Sequence, residues 1–536
     1  MTLFLPSHPP SPSPACRLRR PVRIAHRLAR RLSLGLGVAL APMALAGCMV
    51  GPSYHRPDAV ASPRFKELTP APGWERARPA LAELPKDAWW TIYDDPILDK
   101  LESQVAISNQ NVRMYEANYR QARAMIDSVR AQLFPTISGS LGFNRNSQGR
   151  GSRSASSGSL VSYSGTATNS TETTYSMGPS ASWDLDLWGR IRRNIQSQVT
   201  EAQASAADLA NATLSYQTQL AVAYFNLRYQ DSLQDLLRRY VQFNTQALQI
   251  AQNQFDAGTA DPTAVMQART QLEQNKASLI QAGIARAQYE HAIAVLMGRP
   301  PADLTITPGA LTRTIPAIPV GVPADLLQRR PDIAAAERAM EQYNAQIGAD
   351  MAAFFPTITL NASYSYSGDP VGELVQVVNR IWSLGASASE VLFSGGSRTA
   401  AVHSANAQYD SAVATYRQTV LTALQNTEDQ LSNLRILADQ ARQQQVALDF
   451  ANQAVQVSMN QYLAGTQIYT TVITNETTAL SNAESALGIQ QQRMVDSVYL
   501  VQALGGGWNA SRLPSKGSMQ TDNPFLPSFI QKDKNQ

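Results

Sequence analysis

The stretch GSRTAAVHSANAQYDSAVATYRQTVLTALQNTEDQLSNLRILADQARQQQVALDFANQAVQVSMNQY, residues 396–462, contains no proline and no glycine after its first residue. Its spacing predicts one helix of roughly 65 residues, about 100 Å long at the rise of an α-helix. A seven-residue series runs through it: Val413, Val420, Thr427, Leu434, Ala441, Leu448, Val455 and Tyr462. Globular helices average about three turns, so a helix this long needs other long helices beside it. A free coiled coil is one way to meet that need. The rest of the chain offers another.

Upstream, the same pattern occurs once more. Gln254-Phe255-Asp256-Ala257-Gly258-Thr259 returns as Gln461-Tyr462-Leu463-Ala464-Gly465-Thr466, and Phe134-Pro135-Thr136-Ile137-Ser138 as Phe355-Pro356-Thr357-Ile358-Thr359. The heptad transfers too: Thr213, Leu220, Leu227, Gln234, Val241, Leu248 and Phe255 stand in the first copy, and Gly298 matches Gly505. Breakers, strand entries and heptad travel together, as an internal duplication requires. Each copy reads helix, strand, loop, strand, long helix, tight turn, long helix. Strands are expected at about 136–145, 176–188, 357–367 and 382–393, and long helices at about 189–256, 262–297, 396–462 and 469–503. Shorter helices are expected at Asp87–Ile107, Asn109–Leu133 and Pro331–Ala353.

The strand segments switch to a period of two. Ile358, Leu360, Ala362, Tyr364 and Tyr366 oppose Thr359, Asn361, Ser363, Ser365 and Ser367; Trp382, Leu384, Ala386 and Ala388 oppose Ser383, Gly385, Ser387 and Ser389. Strands of about ten residues with one apolar and one small polar face suit a transmembrane β-barrel with a wet lumen. Four strands cannot close a barrel, and lipid does not tolerate open edges. The barrel is therefore expected to be shared between chains, and a lumen needs three chains and twelve strands rather than eight. Both helical hairpins would turn at the Ala-Gly-Thr sites, far from the membrane.

Composition agrees with large wet surfaces: only 16% of residues are charged. The formal charge of +4 is a property of the leader, where seven arginines (Arg17, Arg19, Arg20, Arg23, Arg27, Arg30, Arg31) precede residue 48 without any acid. Without those seven, the 45 basic residues fall to 38 against 41 acidic ones, a net of −3. The mature chain is thus not a basic nucleic-acid binder. Leu32–Ala46 is a signal h-region, too short to span a membrane. It ends in Leu45-Ala46-Gly47-Cys48, a bacterial lipobox pattern that predicts acylation of Cys48. The other cysteine, Cys16, lies in the leader, so the mature chain can form no internal disulfide. The expected divisions are a signal (1–47), an extended tether (48–86), a first repeat (87–298), a Pro-rich linker (299–330), a second repeat (331–508) and a tail (509–536).

With these residues laid out, the chain resembles the TolC superfamily of outer-membrane factors, in its NodT-type lipoprotein branch, over residues 48–508. The resemblance rests on Gly51-Pro52-Ser53-Tyr54-His55-Arg56-Pro57, Trp89-Trp90 with Asp95-Pro96, Trp183-Asp184-Leu185-Asp186-Leu187-Trp188-Gly189, Asp325–Ile333 and Ala503-Leu504-Gly505-Gly506-Gly507-Trp508. It implies a membrane α+β fold: a homotrimer with a twelve-stranded barrel on a periplasmic helical tunnel. It also implies a passive exit duct for drugs and small toxic solutes in a tripartite pump, with a periplasmic adaptor and an inner-membrane transporter, usually of the RND class. Met49 after Cys48 favours the outer membrane over inner-membrane retention.

The resemblance carries the adaptor contacts onto Ala257, Gly258, Thr259, Ala464, Gly465 and Thr466. Relatives hold a ring of aspartates where this chain has Thr471 and Thr474, with Ala264 at the first-repeat equivalent, so an acidic, cation-attracting ring is not expected. Tyr462 and Gln467 match positions that in relatives close the tip by hydrogen bonds between helices. Asp256, Asp261 and Glu476 lie nearby and read as solvated charges, and Asp184 and Asp186 as lumen-facing polar residues. No metal-ligand spacing among the five histidines and no phosphate-cradling glycine motif is present, so neither enzyme chemistry nor a cofactor is expected. Two alternatives stand beside efflux: a type I protein-secretion channel, and a lipoprotein adhesin on a coiled-coil stalk.

Overall fold

The computed structural model describes residues 49–58, 64–67, 88–147, 171–321, 323–515 and 517–519; Cys48, the signal and the last seventeen residues lie outside them. In chain order, α1 (Pro96–Ser108) and α2 (Gln110–Ala131) lead into β1 (Thr136–Ser147) and β2 (Thr171–Leu185). The first long hairpin, α3 (Arg190–Asp256) and α4 (Pro262–Leu296), follows. Then come α5 (Leu326–Arg329), α6 (Pro331–Ala352), β3 (Thr357–Gly368), β4 (Arg380–Ser389) and the second hairpin, α7 (Ser397–Leu463) and α8 (Tyr469–Ala503). The strands form one antiparallel sheet in the order β1-β2-β3-β4, so β1 and β4 are open edges.

Four pairs of counterpart elements match in length. α3 and α7 have 67 residues each, α4 and α8 have 35, α2 and α6 have 22, and β1 and β3 have 12. Both long helices start at a glycine in the left-handed region, Gly189 at φ 79° and Gly396 at φ 87°. That conformation is cheap only without a Cβ. Asp186 then caps α3, accepting from the backbone N–H of Ile191 and Arg192 at 2.9 and 3.0 Å and pairing with the Arg192 guanidinium at 3.1 Å. At the start of α7 a different pair, Glu390 and Arg398, forms an ion pair at 2.7 Å. Asp186 is therefore a helix cap. Asp184 accepts from the Thr359 hydroxyl at 2.7 Å across the sheet.

Ile137, Leu141 and Phe143 of β1 and Trp382 and Leu384 of β4 are all more than 60% exposed. Such bare apolar rows on strands with open edges are what a lipid-facing barrel segment presents. Among the described residues no helix is long and apolar enough to cross a membrane.

α3 is the central stave. It packs against α4, α6, α2, α8 and α1, whereas α7 packs mainly against α8 and α6. Its middle forms the core with the short helices: Trp89, Tyr93, Leu98, Leu220, Tyr224, Phe225, Ile293, Met494 and Val498 are all buried together. The Pro-rich linker is fastened there by charge-assisted bonds. Asp231 accepts from Arg286 Nε (2.6 Å), Arg228 Nη1 (3.2 Å) and the Gly309 N–H (3.0 Å), while the two arginines donate to the Ile306 and Thr307 carbonyls. The described part of the tether is likewise bound. Arg193 donates to the Val50 and Gly51 carbonyls, and Arg56 to the Tyr416 hydroxyl at 3.0 Å.

Several boundaries differ from expectation. β2 begins at Thr171, not at about 176, because Thr171–Thr174 pair with Asn144–Ser147 although they carry no apolar row. It ends at Leu185; Trp188 lies beyond it, stacking on Phe355 at 4.8 Å and donating to the Pro356 carbonyl at 2.8 Å. β4 stops at Ser389, short of 393. The helix expected at Asp87–Ile107 is broken: Trp89–Tyr93 is a 3-10 turn, Asp94 takes φ 51°, and Asp95 caps α1 at Pro96. Proline at the first helical position explains the restart.

Candidate functional site

The site lies at the sheet-distal tip, where α3 turns into α4 and α7 into α8. Both turns close the same way. Gly258 (φ 75°) and Gly465 (φ 73°) take the left-handed conformation, and the Thr259 and Thr466 N–H groups reach back to the Gln254 and Gln461 carbonyls at 2.9 and 3.0 Å. The Thr259 and Thr466 hydroxyls donate to those same carbonyls, which explains threonine after the glycine. Ala257, Gly258, Thr259, Ala464, Gly465 and Thr466 are all exposed.

The two turns differ in what lies just above them. Tyr462 is buried, its ring 5.1 Å from that of Tyr469, in a cluster with Ala247, Ala251, Ala264, Ala268 and Val472. This cluster joins the α7/α8 hairpin to the α3/α4 hairpin. Phe255, its counterpart, is exposed. The Tyr462 and Tyr469 hydroxyls are buried without a hydrogen-bond partner among the described residues. Gln467 folds back locally, accepting from the Ile468 N–H at 3.2 Å.

Two other pairs bridge the hairpins. The Thr470 hydroxyl donates to Gln267 Oε1 at 3.1 Å, and the Asn244 side-chain amide donates to Glu476. Glu476 is 1% exposed and not a solvated charge; burial pushes its carboxyl up to about 7, opposed by the Asn244 bond. Around it, Phe243, Tyr240 and Arg239 of α3 and Asn452, Val455 and Gln456 of α7 line a cleft of about 620 Å³. Thr471 is half-buried, while Thr474 is exposed and donates to the Thr470 carbonyl at 3.0 Å. Asp256 accepts from Gln252 at 3.0 Å in solvent. Asp261 caps α4 through the Thr263 N–H at 2.7 Å, and bonds from Thr263 hold its carboxyl below the ordinary range. The aspartates are not brought together with Thr471 and Thr474. Sequence reasoning missed the Asn244–Glu476 pair; the signal for it was Glu476 lying seven residues after Tyr469, on the same helical face.

Amphipathic strands with open edges, standing on paired hairpins of matched length, define one subunit of an outer-membrane duct. The chain belongs to the outer membrane efflux protein family, which matches residues 101–299 and 322–506. It is 27% identical over 476 residues to the probable efflux pump outer membrane protein TtgC of Pseudomonas putida, covering 88% of this chain and 95% of that protein. It is 28% identical over 431 residues to the pyoverdine export outer membrane protein OpmQ of Pseudomonas aeruginosa, covering 79% and 88%. The outer-membrane channel OprN superposes with a TM-score of 0.76 at 28% identity, over 86% of this chain and 100% of that one. The Campylobacter jejuni CmeC channel shares the fold at a TM-score of 0.79 and 22% identity. The chain thus has the TolC-like fold and is an outer-membrane efflux channel component, not an enzyme.

Proposed function

We propose that three copies of this chain form the passive exit duct of a tripartite pump for drugs, solvents and other small toxic solutes. A periplasmic adaptor docks on the exposed turns at Ala257–Thr259 and Ala464–Thr466, and an inner-membrane RND-type transporter supplies the energy. The observation that carries this reading is the four-stranded sheet with two open edges on hairpins of equal length. The gate is the seam above the turns, where Tyr462 packs and Thr470, Gln267, Asn244 and Glu476 bridge; Gln467, Thr471, Thr474, Asp256 and Asp261 flank it. Relatives are named for toluene, solvent and pyoverdine export, which supports small solutes as cargo. Deleting the gene is expected to make cells hypersensitive to drugs and solvents, with rescue by the intact gene. Loss of a secreted protein with drug tolerance unchanged would favour type I secretion.

A lipid anchor at Cys48 completes the reading, and the tether's position supports it. Met49 lies against Gly189, at the joint between sheet and tunnel, and the Val50 N–H donates to the Trp188 carbonyl at 3.2 Å. Cells fed radiolabelled palmitate should label the wild-type chain and not Cys48→Ala. Equal labelling of both would remove Cys48 from this role.

A further inference from the structure

We infer that the cleft between α3 and α7 near the tip is a binding site for amphiphilic organic amines, with Glu476 on its floor as the partner of the ammonium group. The site adjoins the seam proposed as the gate and rests on that reading only for an effect on conductance; binding is measured without it.

The cleft measures about 620 Å³, within the range of about 300–1,000 Å³ that small-molecule sites occupy. Phe243 of α3 and Val455 and Val457 of α7 give it apolar walls, and Asn452, Gln453 and Gln456 give it an amide rim. Phe243 packs against Ala451, Val455 and Ala479, which fixes one wall, while Val457 is left 55% exposed. The floor has another chemistry. Glu476 of α8 is buried, and its Oε1 accepts from the Asn244 side-chain amide. The second acceptors of this bonded pair, Glu476 Oε2 and Asn244 Oδ1, are buried with no partner among the described residues. Buried acceptors left unpaired are uncommon and costly. The cation of the lining, Arg239, is paired with Asp235 instead, at 3.2 Å in solvent.

These features select the ligand. An ammonium group brings a positive charge and several N–H donors to acceptors that have none. A hard metal ion would need six or more oxygen ligands, and the walls offer hydrocarbon. The same walls call for an apolar body beside the amine. The duplication shows that hairpin packing does not itself require the acid–amide pair. At the offset of 207 residues between the hairpins (190 to 397, 262 to 469), Glu476 corresponds to Arg269 and Asn244 to Ala451.

The probe is 1-naphthylmethylamine, a fluorescent primary amine, titrated into the purified full chain in detergent. Its neutral counterpart is 1-naphthylmethanol, and uptake by empty micelles is subtracted. At pH 8 the amine should saturate one site per chain and bind at least tenfold more tightly than the alcohol. Burial raises the Glu476 carboxyl to about 7, so its proton must leave before the ammonium pairs. Amine affinity should then fall about tenfold for each pH unit below about 7, with alcohol affinity flat. Tyr240 of α3 and Tyr469 of α8 face Glu476 with hydroxyls raised by burial, and burial raises Glu484 of α8 as well. Glu476→Gln should bring the amine down to the affinity of the alcohol, and Glu484→Gln should not. Phe243→Ala should weaken both ligands alike. Equal binding of amine and alcohol, absence of saturable binding, or an amine preference that survives Glu476→Gln overturns the inference. So does shielding of Gln453→Cys from a water-soluble maleimide in the purified protein, because another part of the chain or a second copy then fills the cleft. Each of these results leaves the drug hypersensitivity of a deletion strain, and with it the duct, untouched.

Discussion

Gly505→Ala should largely remove the folded channel from the outer membrane, while Gly465→Ala leaves it nearly intact. Both glycines end a long helix in the left-handed region, at φ 91° and 73°. Their surroundings differ. A Cβ on Gly465 would meet nothing within 4 Å, but one on Gly505 would stand 2.0 Å from the Arg329 carbonyl oxygen. That carbonyl belongs to the end of α5, which seats the second repeat on its own last helix. The Arg330 guanidinium donates to the Ala503 carbonyl beside it at 2.8 Å. The first repeat builds the same joint from other residues: Gly298 sits on the Ser108 carbonyl, and the Asn109 amide donates to the Leu296 carbonyl at 2.7 Å. Left-handed strain costs about 1–3 kcal/mol and forced backbone displacement a further ~1–3 kcal/mol. The tip variant bears only the left-handed strain, about 1–3 kcal/mol, without the backbone displacement. Protein content of purified outer membranes and the unfolding midpoint in detergent check this; equal behaviour of the two variants would refute it.

The second large effect concerns the tip. Tyr462→Ala should leave the duct open, and Phe255→Ala should not, because the first ring is buried in the seam and the second is in solvent. Truncating a buried aromatic costs about 3–5 kcal/mol. The measurement is entry of a bulky hydrophilic antibiotic such as vancomycin, together with single-channel conductance in planar bilayers.

The same seam should respond to pH through Glu476. Its carboxyl is raised by burial from an ordinary value of 4.5 to about 7 in the folded tip. The stabilisation is therefore fully present below about 4.5 and is lost as pH rises through about 7. The groups facing it do not titrate in that window in the opposite sense. Burial pushes Tyr240 up to about 12 and raises Tyr469 as well, and Glu484 is raised by burial like Glu476. Wild-type open probability should rise several-fold between pH 5.5 and 8, whereas Glu476→Gln should stay closed across the range. Glu484→Gln separates the two carboxyls: a flat profile in that variant, with Glu476→Gln still responsive, would move the effect off Glu476.

What was legible in the sequence was whatever a residue's own backbone or immediate spacing decides. Alternation marked β3 and the core of each other strand, the heptad marked α3 and α7, and the repeated Ala-Gly-Thr marked the two tight turns, where Gly258 and Gly465 are left-handed. The duplication followed because these local signals recur in order. What lies across from a residue is not a local property, and there the tertiary structure decided. Thr171–Thr174 became strand because Asn144–Ser147 pair with them, and β4 stopped at Ser389 where β3 ran out. Tyr462 was buried and Phe255 left bare, although they hold the same place in two copies of one pattern. Glu476 was enclosed and its carboxyl raised to about 7, while Asp256 stayed in water. The two repeats are alike in sequence pattern, but each faces a different neighbour, and burial, charge state and strand length are set by that neighbour.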